Sequence, residues 1–159
     1  MNIRPANPND ILLIFSFIQR KAEFDRYIGA FSGVLQVSPE KISKTLFGKT
    51  PFAYVLFAES SGCEIGFALY GFRYSSFAGQ PSIWLDDLYI DENRRSQGAG
   101  TALMNKLAEI AQENDCSHLA WNADARNIRG LGFYDRLGAE ITDQQGNRCF
   151  LRWVPRFAV

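Results

Sequence analysis

The chain has 159 residues, with 17 Lys+Arg balanced by 17 Asp+Glu and a formal net charge of zero. That length suits one domain with a hydrophobic core, and 47% hydrophobic with 14% aromatic residues excludes a disordered chain. A balanced total lacks the field of a non-specific nucleic-acid or acidic-membrane binder, so neither partner is expected.

Near the N-terminus, Asn7-Pro8 reads as a helix start, Asn7 as N-cap and Pro8 at the first helical position. Ile11, Ile14, Phe15 and Ile18 then recur at helical spacing. This apolar run lacks a strongly basic lead and a small-residue cleavage pattern, and it is too short to span a bilayer, so it reads as a buried helix. Ser38-Pro39-Glu40 repeats the start signal, with Ile42 and Leu46 following and Gly48 as the stop. Residues 54–58 and 65–72 are strand-like around Glu59-Ser60-Ser61-Gly62, a hairpin signal, and 84–90 is another strand.

Residues 101–113 are amphipathic, with Leu103, Leu107, Ile110 and Ala111 on one face. A strand over 118–123, a helix over 128–137 stopped by Gly138, and a strand over 148–154 complete the chain. The order β-α-α-β-β-β-α-β-α-β, with no linker, repeat or low-complexity segment, predicts a single mixed α/β domain over residues 1–159. Cys63, Cys116 and Cys149 are scattered, there is no CxxC, and His118 is the single histidine. Neither a zinc site nor a disulfide framework is expected, no metal is called for, and a reducing cytoplasm is the natural setting.

The segment Arg94-Arg95-Ser96-Gln97-Gly98-Ala99-Gly100-Thr101 lies between a predicted strand and a predicted helix. Glycines let a backbone approach a ligand closely, a helix N-terminus offers amides to an anion, and an arginine beside it suggests phosphate. A P-loop would need Gly-Lys-Ser/Thr after a four-residue gap, which is absent. A dinucleotide turn would need a third small residue where Leu103 stands, and would begin almost at the strand end. A plain capping turn remains the alternative for this loop by itself.

Arg95-Ser96-Gln97-Gly98-Ala99-Gly100 resembles the Gln/Arg-x-x-Gly-x-Gly/Ala signature of the GNAT superfamily of N-acetyltransferases. Asn127 through Tyr134, followed by Leu137-Gly138-Ala139, resembles a second element of that family, in the family's order. Over nearly the whole chain the likeness is to the diamine (spermidine/spermine) acetyltransferase branch, from Ile3-Arg4-Pro5-Ala6 through Gly66-Phe67-Ala68 to the strand over 84–90. The resemblance implies acetyl-CoA as co-substrate, a small-molecule amine as acceptor, a homodimer, and a sheet whose fourth strand bulges and splays from the fifth.

By resemblance, Tyr134 is the donor to the departing CoA sulfur, although an arbitrary tyrosine there would read as core. The loop from Arg95 through Ser96, Gln97, Gly98, Ala99 and Gly100 to Thr101 would hold the CoA pyrophosphate. Asn127 and Gly130 would flank CoA, and Asn127 reads equally as an N-cap. Around Tyr89, the backbone N–H groups of Leu88 and Ile90 would face the pantetheine and the thioester oxygen.

Asp86 and Asp87 are adjacent acids in an apolar strand, on opposite faces if alternation is strict. The resemblance implies a bulge here that would let both serve one pocket, with the acid at the position of Asp86 contacting the amine and the pair arranging its deprotonation, Asp86 favoured. Phe24-Asp25 resembles an aromatic-acid pair of the amine pocket, where Asp25 alone would be an ordinary helix-end charge. His118 has no partner at a recognisable spacing and reads as structural.

One departure stands out. The branch carries an acid before a glycine in the loop after the catalytic helix, and Gln144-Gln145-Gly146 stands here. Fewer anionic contacts put a short diamine or a lysine-like amine level with spermidine or spermine. The rival expectations are a protein or peptide N-acetyltransferase and a catalytically silent acyl-CoA-binding regulator.

Overall fold

In the computed structural model, which describes residues 1–156, strand β1 (Asn2–Pro5) and a 3-10 turn (Pro8–Asp10) lead into helix α1 (Ile11–Tyr27). Helix α2 (Pro39–Leu46) precedes strands β2 (Tyr54–Ser60), β3 (Cys63–Ser75) and β4 (Gln80–Ile90). A second 3-10 turn (Glu92–Arg94) opens the run α3 (Ala99–Glu113), β5 (Leu119–Asp124), α4 (Ile128–Leu137), β6 (Glu140–Gln145) and β7 (Arg148–Trp153). The strands form one mixed sheet in the order β1-β2-β3-β4-β5-β7-β6, as the predicted α/β class requires.

The local signals act much as read, with two corrections. Asn7 caps the 3-10 turn, its side chain accepting from Asn9 N at 2.9 Å, and α1 begins only at Ile11. Ser38 caps α2 through Lys41 N, and the β2–β3 hairpin turns on Ser61 (φ 53°) and Gly62 (φ 78°). The second correction is β6, which the predicted order omits. Gln144 and Gln145 lie in this edge strand, paired with Cys149 and Arg148, and are not part of a loop. Every β6 residue is exposed, so no apolar alternation marked it. Its polar surface suits an edge that must not recruit another strand.

Alternation along β2 and β3 sends side chains to two cores. On one face Phe17 and Ile14 of α1 and Ile42 of α2 pack with Val55, Phe57 and Phe67. Phe17 stacks on Phe67 at 5.3 Å between centroids. On the other face Leu103, Met104 and Leu107 of α3 pack with Leu56, Ala68, Ile83 and Trp121. The helices are thus fixed to the sheet on both sides, and the sheet's centre is left to build the site.

Candidate functional site

Two irregularities open the sheet. Leu69 of β3 pairs with Asp87 and Tyr70 with Leu85, so Asp86 is the extra residue of a β-bulge. Beyond it, β4 parts from β5: the two parallel strands pair only at Ile83–Leu119 and Trp84–Ala120. Asp91 N donates to Ile65 O at 2.8 Å, on the β3 side. Strand alternation therefore turns the N–H groups of Ile90 and Leu88 to the opposite edge, where β5 has moved away. A cavity of about 710 Å³ fills the gap, walled by α1, β4, the glycine loop and α4.

At one end of the cavity the loop bends through Ser96 (φ 63°) and Gly98 (φ 88°) into α3. A side chain at Gly98 would meet no protein atom within 4 Å, so the helix N-terminus is open to a ligand. Arg94 Nε is buried without a hydrogen-bond partner, a cationic donor facing this end unspent. Arg129 reaches over from α4, its Nη2 donating to Ser96 Oγ at 2.8 Å. Arg95 is differently engaged from the expectation. Its Nε donates to Ile90 O at 2.9 Å, and its guanidinium lies over the rings of Phe24 (4.8 Å) and Tyr89 (5.5 Å).

Helix α4 forms the opposite wall. Asn127 Oδ1 accepts from Gly130 N at 3.0 Å, the capping role read from sequence. A Cβ at Gly130 would clash with the side-chain amide of Asn127, so the glycine makes room for its own cap. Tyr134 is buried beside Trp121, with ring centroids 5.0 Å apart, yet it lines the cavity and its hydroxyl makes no hydrogen bond among the described residues. Burial pushes its phenol up to about 12; nearby Lys21 opposes the shift and Asp87 and Asp25 add to it. The hydroxyl therefore keeps its proton at neutral pH.

Those three charges form a cluster between α1 and the bulge. Lys21 Nζ lies 2.6 Å from Asp25 Oδ2 and 3.2 Å from Asp87 Oδ1. Burial alone would lower the lysine's pKa, but Asp87 and Asp25 outweigh it and the net shift is upward. Burial raises Asp87, against the pull of Lys21 and with the push of Asp86. Asp86 is exposed at the cavity wall and has no ion pair among the described residues.

Most of the anticipated residues meet here. Phe24, Asp25, Asp86, Leu88, Tyr89, Ile90, Arg95, Ser96, Gly98, Ala99, Gly100, Thr101, Asn127, Gly130 and Tyr134 all line the cavity. Asp87 and Gln97 do not, and Asp87 instead turns to Lys21. Arg94, read with the glycine loop, lines it too, while Lys21, Trp84, Phe133 and the basic residues Arg129, Arg136 and Arg148 line it without having been singled out. The spacing of Lys21 four residues before Asp25 was the one readable signal among them. His118 is not partnerless, since its Nδ1 lies 2.8 Å from Ser117 Oγ, but neither residue lines the cavity. Among the described residues no group of three or more His, Cys, Asp or Glu could hold a metal ion.

Residues 21–139 match the model of the acetyltransferase (GNAT) family. A thialysine N-epsilon-acetyltransferase of Bos taurus is 33% identical over 157 residues, covering 93% of this chain and 89% of its own. A spermidine/spermine N(1)-acetyltransferase-like protein of Homo sapiens is 25% identical, over 93% of this chain and 22% of that protein. The fold matches an N-acetyltransferase of Thermoplasma acidophilum solved in complex with coenzyme A, with a TM-score of 0.71 and 16% identity over 96% of this chain and 97% of that one.

Proposed function

The chain belongs to the acetyltransferase (GNAT) family and is an N-acetyltransferase, and we propose that it transfers acetyl from acetyl-CoA to a primary amine of a small, lysine-like molecule. One observation carries the reading. The unpaired N–H groups of Leu88 and Ile90, the open α3 N-terminus and Tyr134 all border one cavity.

Acetyl-CoA, when bound, supplies the thioester carbonyl that the amine attacks, forming a C–N bond as the C–S bond breaks. The donors present fit such a molecule. The amides at the start of α3, with Arg94 and Arg129, would hold its phosphates. The N–H of Leu88 or Ile90 would donate to the carbonyl oxygen as negative charge grows there, an interaction strongest in the transition state.

Asp86 would receive the substrate's ammonium. A carboxylate attracts the charged amine but also stabilises it, so Asp86 must pass the released proton on, through water, before attack. Tyr134 would donate to the departing sulfur. With its pKa near 12 against a thiol reference of about 8.5, it gives a hydrogen bond more readily than a proton. The charge of Lys21 weighs against that.

Thermal stabilisation by acetyl-CoA, followed by thiol release over lysine analogues, diamines, polyamines and peptides, tests the reading. Release with the small amines is expected. Release only with peptides would assign a protein substrate, and stabilisation without any release would make the chain an acyl-CoA-binding regulator. The family resemblance also supports a homodimer, which sedimentation tests, and the scattered cysteines support a reducing cytoplasmic setting. No helix of the described residues is long and apolar enough to cross a membrane.

A further inference from the structure

Three acids line the cavity: Asp25, Asp86 and Asp124. Asp25 is occupied by Lys21 at 2.6 Å, and Asp124 by Arg126 Nε at 2.8 Å. Only Asp86 is left without an ion pair among the described residues. Asp87, which could have been a second anionic contact beside it, is also held by Lys21, at 3.2 Å.

We propose that Lys21 is a specificity-determining residue, an internal ammonium that occupies the Asp25–Asp87 carboxylate pair and leaves Asp86 alone to receive a substrate cation. Resting on the acetyltransferase reading above, this selects amines whose second ammonium is compensated by an anionic group, such as amino acids with a side-chain amine. It disfavours diamines and polyamines, whose further ammonium groups would find their carboxylates taken and a like charge in place. Discrimination by an unwelcome charge is an ordinary way to build specificity.

Lysine and cadaverine test this directly, because they differ by one carboxylate. Wild-type kcat/KM is expected to favour lysine. Lys21→Met keeps an unbranched side chain and removes the charge, and it should shift the lysine-to-cadaverine ratio toward cadaverine by about tenfold, a difference of roughly 1.4 kcal/mol. Lys21→Arg retains a cation and should keep the wild-type preference.

Acetyl-CoA-induced thermal stabilisation, read on each variant, establishes that it is folded and binds the co-substrate. If Lys21→Met does not fold, the charge-balanced Lys21→Met, Asp25→Asn pair replaces it, with the same expected shift. A wild type that prefers cadaverine, or an unchanged ratio in the folded variant, overturns the proposal. Acetylation of neither amine by a wild type that binds acetyl-CoA overturns the lysine-like substrate reading itself, a different result from an unchanged ratio.

Discussion

The ring of Phe133 lies against Gly100, so close that a Cβ on the glycine would meet Phe133 Cζ at 3.2 Å. This contact sets α4 over the first turn of α3 and joins the two cavity walls. Gly100→Val should displace the ring and abolish most of the thermal shift given by acetyl-CoA. Adding Phe133→Leu should restore part of it. Strictly additive losses in the double variant would mean that the ring is not the obstacle.

Tyr134→Phe retains the ring packed on Trp121 and removes only the hydroxyl. The fold and the acetyl-CoA shift should be unchanged, while kcat falls by about 100-fold with little change in the amine KM. Stopped or steady-state thiol release at saturating substrates reads this. An unchanged kcat would remove Tyr134 from the chemistry.

Asn127 and Gly130 form a mutually dependent pair. Asn127→Ala should cost roughly 0.5–2 kcal/mol through the lost cap. Gly130→Ala should be damaging in the native background, because its Cβ meets the Asn127 amide, and much milder once Asn127 is alanine. A double-mutant cycle in urea measures that coupling.

Acid sensitivity should be concentrated where β1 meets the 3-10 turn. Arg4 Nη1 and Nη2 donate to Asp10 Oδ2 and Oδ1 at 2.8 and 3.0 Å, and Nη2 also reaches Glu64 at 2.8 Å. These bonds hold both carboxyls below their ordinary values of 3.8 and 4.5. A depressed carboxyl pKa contributes stability that is present above the ordinary value and lost as pH falls through the folded one. Unfolding free energy should therefore drop between about pH 5 and pH 3. Asp10→Asn should remove roughly 1.5–3 kcal/mol at neutral pH and flatten that drop.

What could be read from sequence was what depends on neighbours along the chain. The caps at Asn7, Ser38 and Asn127, the Ser61-Gly62 turn and the glycine loop before α3 are local chemistry, and each lies where its residues indicate. Alternation could not assign faces to Asp86 and Asp87, because one extra residue in β4 reverses the pattern there. Lys21 was missed because its meaning lies in the approach of α1 to that bulge, a tertiary event. Strand β6 was missed because it is held by pairing with β7 and buries nothing.

Initial rates of thiol release, with acetyl-CoA and a lysine-like amine both varied, test the central claim most directly. Direct attack within one cavity predicts release that depends on both substrates and intersecting double-reciprocal lines. Parallel lines, the mark of an acetylated enzyme, or release indifferent to the amine, would contradict it.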